Sequence, residues 1–138
     1  MIQSPRYPNQ YPRSTVCEWV IDFGYGIDVT FEFTVFDLES SQDCSYDYVT
    51  LHKGINKTGE VMGEQYCGMD LPPSRTVNGP LTIYFKSDFD TEFPGFSAEY
   101  STAGECNNSI LVQVILPVLP VLVPHRLFRV FPNIMAIF

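Results

Sequence analysis

The stretch IDVTFEFTV, residues 27–35, alternates apolar and polar side chains without a break. Ile27, Val29, Phe31, Phe33 and Val35 fall on one face; Asp28, Thr30, Glu32 and Thr34 fall on the other. Side chains of an extended chain point to opposite faces in turn, so a sustained period of two predicts a strand with one buried face and is hard to read as a helix.

The same pattern recurs to either side. Cys17-Glu18-Trp19-Val20-Ile21 alternates ahead of a turn at Asp22–Gly26, and Leu81, Ile83 and Phe85 alternate with Thr82, Tyr84 and Lys86. Tyr48–Leu51 is a short strand, and Phe96, Ala98 and Tyr100 alternate with Ser97 and Glu99. Val61, Met62, Gln65 and Tyr66 run into Cys67-Gly68, Pro72-Pro73 breaks the chain, and Asn78-Gly79-Pro80 is a turn. Residues 1–16, rich in Pro and Tyr, also read as turns. Short strands with regular turn signals and no convincing helix predict an all-β fold, an antiparallel β-sandwich.

Two loops concentrate charge. Asp37, Glu39, Asp43 and Asp47 surround Cys44 in residues 36–49, and Asp88, Asp90 and Glu92 lie between the last two strands. Residues 1–105 hold all 16 acids and six of the eight bases of the 138-residue chain. Such a domain argues against nucleic acid, whose phosphates need Lys and Arg, and favours cationic partners or hard metal ions.

Cys17, Cys44, Cys67 and Cys106 form no C-x-x-C pair, so zinc and thioredoxin-like readings have no support. Scattered cysteines in a small β-rich chain suggest an oxidising compartment. The sequons Asn56-Lys57-Thr58 and Asn107-Asn108-Ser109 agree with that, Asn56 being the candidate glycosylation site. The chain shows no signal peptide, which for a disulfide-type domain suggests a fragment, an incomplete gene model or a piece cut from a larger secreted protein.

Composition changes near Gly104. Ile110–Val123 is almost wholly apolar but is interrupted by Pro117 and Pro120 and ends before Pro124, His125 and Arg126. A membrane span needs about 20 apolar residues, so a membrane helix is disfavoured. Residues 104–138 are expected to form a tail outside the fold.

Six ordered motifs carry a resemblance. Ser4-Pro5-Arg6-Tyr7-Pro8-Asn9-Gln10-Tyr11-Pro12 with Cys17-Glu18-Trp19-Val20-Ile21, Phe36-Asp37-Leu38-Glu39, Cys44-Ser45-Tyr46-Asp47-Tyr48-Val49, Tyr66-Cys67-Gly68, Leu81–Asp88 and Gly95-Phe96 resemble a CUB domain over about residues 2–102. The resemblance implies a jelly-roll-like sandwich of two antiparallel sheets in an extracellular protein, with the domain at residues 1–103. It implies that the family's first strand and first cysteine are missing here, which exposes ladder groups at a sheet edge. It implies a Cys44–Cys67 disulfide, leaving Cys17 unpaired or paired with Cys106; an unpaired Cys17 is favoured.

In a calcium-binding subset of that family, the ligand positions match Glu39, Asp47 and Asp88, with a main-chain carbonyl near Asp90 and a supporting tyrosine at the position of Tyr11. Calcium takes six to eight hard oxygen ligands, so carboxylates from separate loops suit it. The remaining acids, Asp37, Asp43, Asp90 and Glu92, read equally well as solvation of loop tips. The subset also implies a partner whose Lys or Arg enters beside Asp47 and Asp88, with Tyr7, Tyr46 or Tyr48 flanking it.

No catalytic motif appears: His52 and His125 are the only histidines, and there is no nucleophile elbow or phosphate loop. The chain therefore reads as a calcium-dependent protein-binding module. A carbohydrate-binding module and a structural spacer in an array are the alternatives.

Overall fold

The computed structural model describes residues 1–103 and the backbone of Leu111–Ile115. The strands are β1 (Ile2–Gln3), β2 (Val16–Asp22), β3 (Asp28–Asp37), β4 (Tyr48–Lys53), β5 (Arg75–Asn78), β6 (Leu81–Lys86), β7 (Gly95–Thr102) and β8 (Leu111–Ile115). They form two four-stranded sheets, ordered β1-β7-β3-β5 and β4-β6-β2-β8, and every pairing is antiparallel. The expected all-β sandwich is what forms, and among the described residues there is no α-helix.

Between the sheets lies an aromatic core. Phe96 is the centre: Trp19, Phe33 and Phe85 meet its ring edge-on with centroids 5.6, 5.5 and 5.9 Å away. Such geometry places a ring's positive edge against a negative face and adds to the apolar burial. Trp19 is thus a core residue.

The 27–35 stretch is β3, but its alternation fails at the end. The register with β7 slips between Phe33 and Val35, a β-bulge at Thr34. Val35, expected on the buried face, is 40% exposed, and Phe36 takes the core position at 5%. A bulge sets two residues of one strand against one of its partner.

Three other differences follow from weak local signals. The expected turn-rich opening contains β1, only two residues pairing Ile2 with Ala98 and Gln3 with Ser97. β5 begins soon after Pro73 and is too short to show a period; it pairs with β3 from Asp28 to Phe31. The 104–138 segment, expected outside the fold, contributes β8, which runs along β2 from Glu18 to Asp22. Cys106 and the Asn107 sequon lie outside the described residues.

The outer face of β4 and β6 is also covered. Residues 54–60 fold back over it: the Thr82 hydroxyl donates to the Gly54 carbonyl at 2.7 Å, the Lys57 N–H donates to Glu18 Oε1 at 3.0 Å, and Lys57 Nζ sits 4.6 Å from the Tyr84 ring centre. His52 lies beneath, its ring between the Thr50 hydroxyl and the Gly59 carbonyl. Asn56 is exposed on this loop, and its Oδ1 accepts from both the N–H and the hydroxyl of Thr58.

Candidate metal centre

At one end of the sandwich the loops β3–β4 and β6–β7 meet the chain ahead of β2. Each brings a carboxylate or its support. Leu38 is buried and its N–H donates to the Gly68 carbonyl at 2.9 Å, which holds the chain as it leaves β3 and sets Glu39 at the rim. Asp47 immediately precedes β4. Ser87, just past β6, donates its hydroxyl to the Pro12 carbonyl at 2.7 Å and accepts from the Thr15 N–H at 3.0 Å, fixing Asp88 against the 11–15 segment.

Asp47 is the hub. It is fully buried, an expensive place for a carboxylate unless both oxygens are satisfied. Oδ2 accepts from the Tyr11 hydroxyl at 2.6 Å, and Oδ1 accepts from the Asp88 N–H at 2.7 Å. The Tyr11 hydroxyl in turn accepts from the Glu39 N–H at 3.1 Å. One phenol and one carboxylate therefore tie together the backbones of all three segments.

The three carboxylates converge: one oxygen from each of Glu39, Asp47 and Asp88 lies within 4.8 Å of the others. Glu39 Oε2 is buried without a hydrogen-bond partner. Burial pushes the Glu39 carboxyl above the usual range, and the charges of Asp47, Asp88 and Asp90 add to it. Burial also raises Asp47, against the lowering by its two hydrogen bonds. Tyr11 is raised far above an ordinary phenol by burial and by its bond to Asp47, so it stays a protonated donor. Clustered acids with an orphaned oxygen lack positive charge. The donor set is all oxygen, which suits a hard cation such as calcium.

The other residues singled out from the sequence fall into two groups. Asp90 is exposed and its N–H donates to Asp88 Oδ1 at 2.8 Å, so its backbone is bound to the cluster. Tyr46 is 50% exposed beside Asp47. Glu92, by contrast, is paired with Arg13 at 2.8 Å, which lowers its pKa. Tyr48 lies outside the group, on the outer sheet face, 5.7 Å from Lys86 Nζ. Phe89, not singled out from the sequence, stands 79% exposed between Asp88 and Asp90. Its only signal was an aromatic inside a polar loop.

Below the cluster, Cys44 and Cys67 form a disulfide that staples the β3–β4 loop to the segment before β5. Cys17 carries a free, buried thiol whose pKa burial raises. Among the described residues no helix is long and apolar enough to cross a membrane.

Comparison with known proteins agrees with this architecture. The chain is 42% identical to human neuropilin-1 over 103 residues, covering 72% of this chain and 11% of that protein. It is 32% identical to mouse tolloid-like protein 1 over 114 residues, covering 82% and 11%. The chain thus spans only a small part of the relatives it matches. A solved structure of the MASP-1 CUB2 domain bound to Ca2+ superimposes with a TM-score of 0.63 at 35% identity, covering 72% of this chain and 88% of that one. The CUB domain family model matches residues 1–100, and the chain belongs to the CUB family.

Proposed function

We propose that this chain is an extracellular, calcium-dependent protein-interaction module of a larger protein, with residues 1–103 as its domain and Leu111–Ile115 as an added edge strand. Glu39, Asp47 and Asp88 supply carboxylate oxygens to calcium, and the main-chain carbonyl of Asp90 adds another. Tyr11 acts from behind, holding Asp47 and the Glu39 backbone in place. When bound, calcium neutralises the cluster and orders the loops. A Lys or Arg of an extracellular partner then approaches Asp47 and Asp88, with Tyr46 alongside. Any catalysis belongs to other domains of the parent protein, and Asn56 carries a glycan.

The observation that carries this reading is the convergence of three carboxylates on one point, with Glu39 Oε2 buried and unpartnered. The Ca2+-bound MASP-1 CUB2 structure supports it by likeness. The test is calorimetric titration of the full chain with calcium, beside Glu39→Gln and an EGTA control. Saturable heat at micromolar to millimolar calcium, lost in Glu39→Gln, is expected. An absence of heat and of any melting shift at about 10 mM calcium, ten times the weak end of the extracellular range, would remove the metal from the function.

A further inference from the structure

We propose that the outer edge of β2 is a strand-acceptor site, and that it accepts residues 111–115 from a second copy of this chain as well as from its own. Four observations carry the proposal. First, β2 is a long apolar strand, and Cys17, Trp19, Val20 and Ile21 are all buried. Its edge beyond β6 would present a row of free N–H and C=O groups if uncovered, the kind of template that recruits another strand.

Second, among the described residues the only cover is β8, antiparallel from Glu18↔Ile115 to Asp22↔Leu111. Third, β8 stands at the end of its sheet and, among the described residues, pairs with nothing but β2, so its hold there is a single ladder. Fourth, β7 belongs to the other sheet, and residues 103–110 connect it to β8. A connector of that length reaches about 26 Å when extended, whereas packed sheets lie about 10 Å apart. A connector of that reach lets residues 111–115 meet their own β2 or a neighbour's identical edge. Every contact made in one chain is remade between two, which is why exchange of identical elements is a low-cost route to dimers. The occupant is a second copy because each copy carries the one segment whose register on this edge is known.

The test is cross-linking of a directly opposed pair. The full chain is made with Val20→Cys and Gln113→Cys, with Cys17→Ala and Cys106→Ser to prevent mispairing, and is oxidised with oxidised glutathione at a series of concentrations. Mixing isotope-labelled with unlabelled chain lets mass spectrometry tell bonds between chains from bonds within one. We expect both products, the interchain fraction rising about tenfold for each tenfold rise in concentration while it is the minority, as mass action requires. Only intrachain bonds at every concentration, an interchain fraction independent of concentration, or no 20–113 bond at all would overturn the proposal. Glu18→Cys with Ile115→Cys, on the same sheet face, repeats the test without touching a buried apolar residue of β2. Circular dichroism confirms that each variant is folded.

Discussion

Replacing Tyr11 with Phe removes a single oxygen from the middle of the candidate metal centre. The ring remains, 1% exposed and packed edge-on against Phe85 with centroids 5.2 Å apart, so no cavity of consequence opens. What is lost is the 2.6 Å donor to Asp47 Oδ2 and the 3.1 Å acceptor for the Glu39 N–H. A hydrogen bond to a charged group contributes about 1.5–3 kcal/mol, and stranding a buried N–H costs about 1–3 kcal/mol. Relaxation and water at the rim recover part of this, leaving about 2–4 kcal/mol. For a domain of this size that corresponds to a fall in Tm of about 10–20 °C. The assay is urea and thermal unfolding in EGTA, followed by calcium calorimetry on the folded variant. Calcium affinity should fall about 10–100-fold, as when outer-shell partners of metal ligands are removed. A variant within about 0.5 kcal/mol of the parent, with unchanged calcium affinity, would refute the view that Tyr11 organises the site.

Glu39→Gln should separate the metal from the fold. A site of about 10⁻⁴ M gains about 2.7 kcal/mol from 10 mM calcium, and this variant should show almost none of that gain in thermal unfolding. The pH dependence has a definite sign. Burial and mutual repulsion raise the folded-state pKa values of Glu39 and Asp47, so in EGTA the folded chain holds more protons than the unfolded one. Melting in EGTA should therefore gain from these two groups as pH falls from neutral through their raised values. The calcium-induced rise in Tm should shrink over the same interval, because protons compete for the ligands. Replacing Cys44 and Cys67 together with Ser should cost about 3 kcal/mol in denaturant unfolding, the chain-entropy figure for a loop closed by cysteines at a sequence separation of 23. Finally, Phe36→Ala should cost about 3–5 kcal/mol while Val35→Ala changes stability by under about 0.5 kcal/mol. Equal effects would mean that the bulge at Thr34 is wrongly placed.

The strands with long alternating runs were legible because period two is a local property: β2, β3, β6 and β7 stand where alternation put them, and β4 begins where a short strand was expected. β1 and β5 were not, being two and four residues long and defined by the partners they meet. The bulge escaped for a similar reason, since Thr34 looks no different from an in-register residue until β7 is laid beside it. β8 was hidden by an apolar segment whose prolines suggested no element at all. Glu39, Asp47 and Asp88 were picked out through resemblance to a family pattern. Their sequence alone could not say that Asp47 would be fully buried, nor that Glu92 would turn away to Arg13. Those outcomes depend on which loops end at the same side of the sandwich.

The bulge in β3 acts as a phase shifter. Strict alternation from Val29 would send every odd-numbered residue inward, so that Asp37 and Glu39 would point into the aromatic core and Phe36 and Leu38 into water. One unmatched residue at Thr34 reverses the parity of all that follows. Phe36 and Leu38 drop into the core, and Glu39 swings out to meet Asp47 and Asp88. The carboxylate's side of the chain is thus set five residues upstream, by a backbone count, and the Glu39 N–H bond to Tyr11 then holds it there. Deleting Thr34 alone would leave all three carboxylates in the chain and rotate that of Glu39 to the wrong side. Such a chain should keep Asp47 and Asp88 together and yet fail to bind calcium.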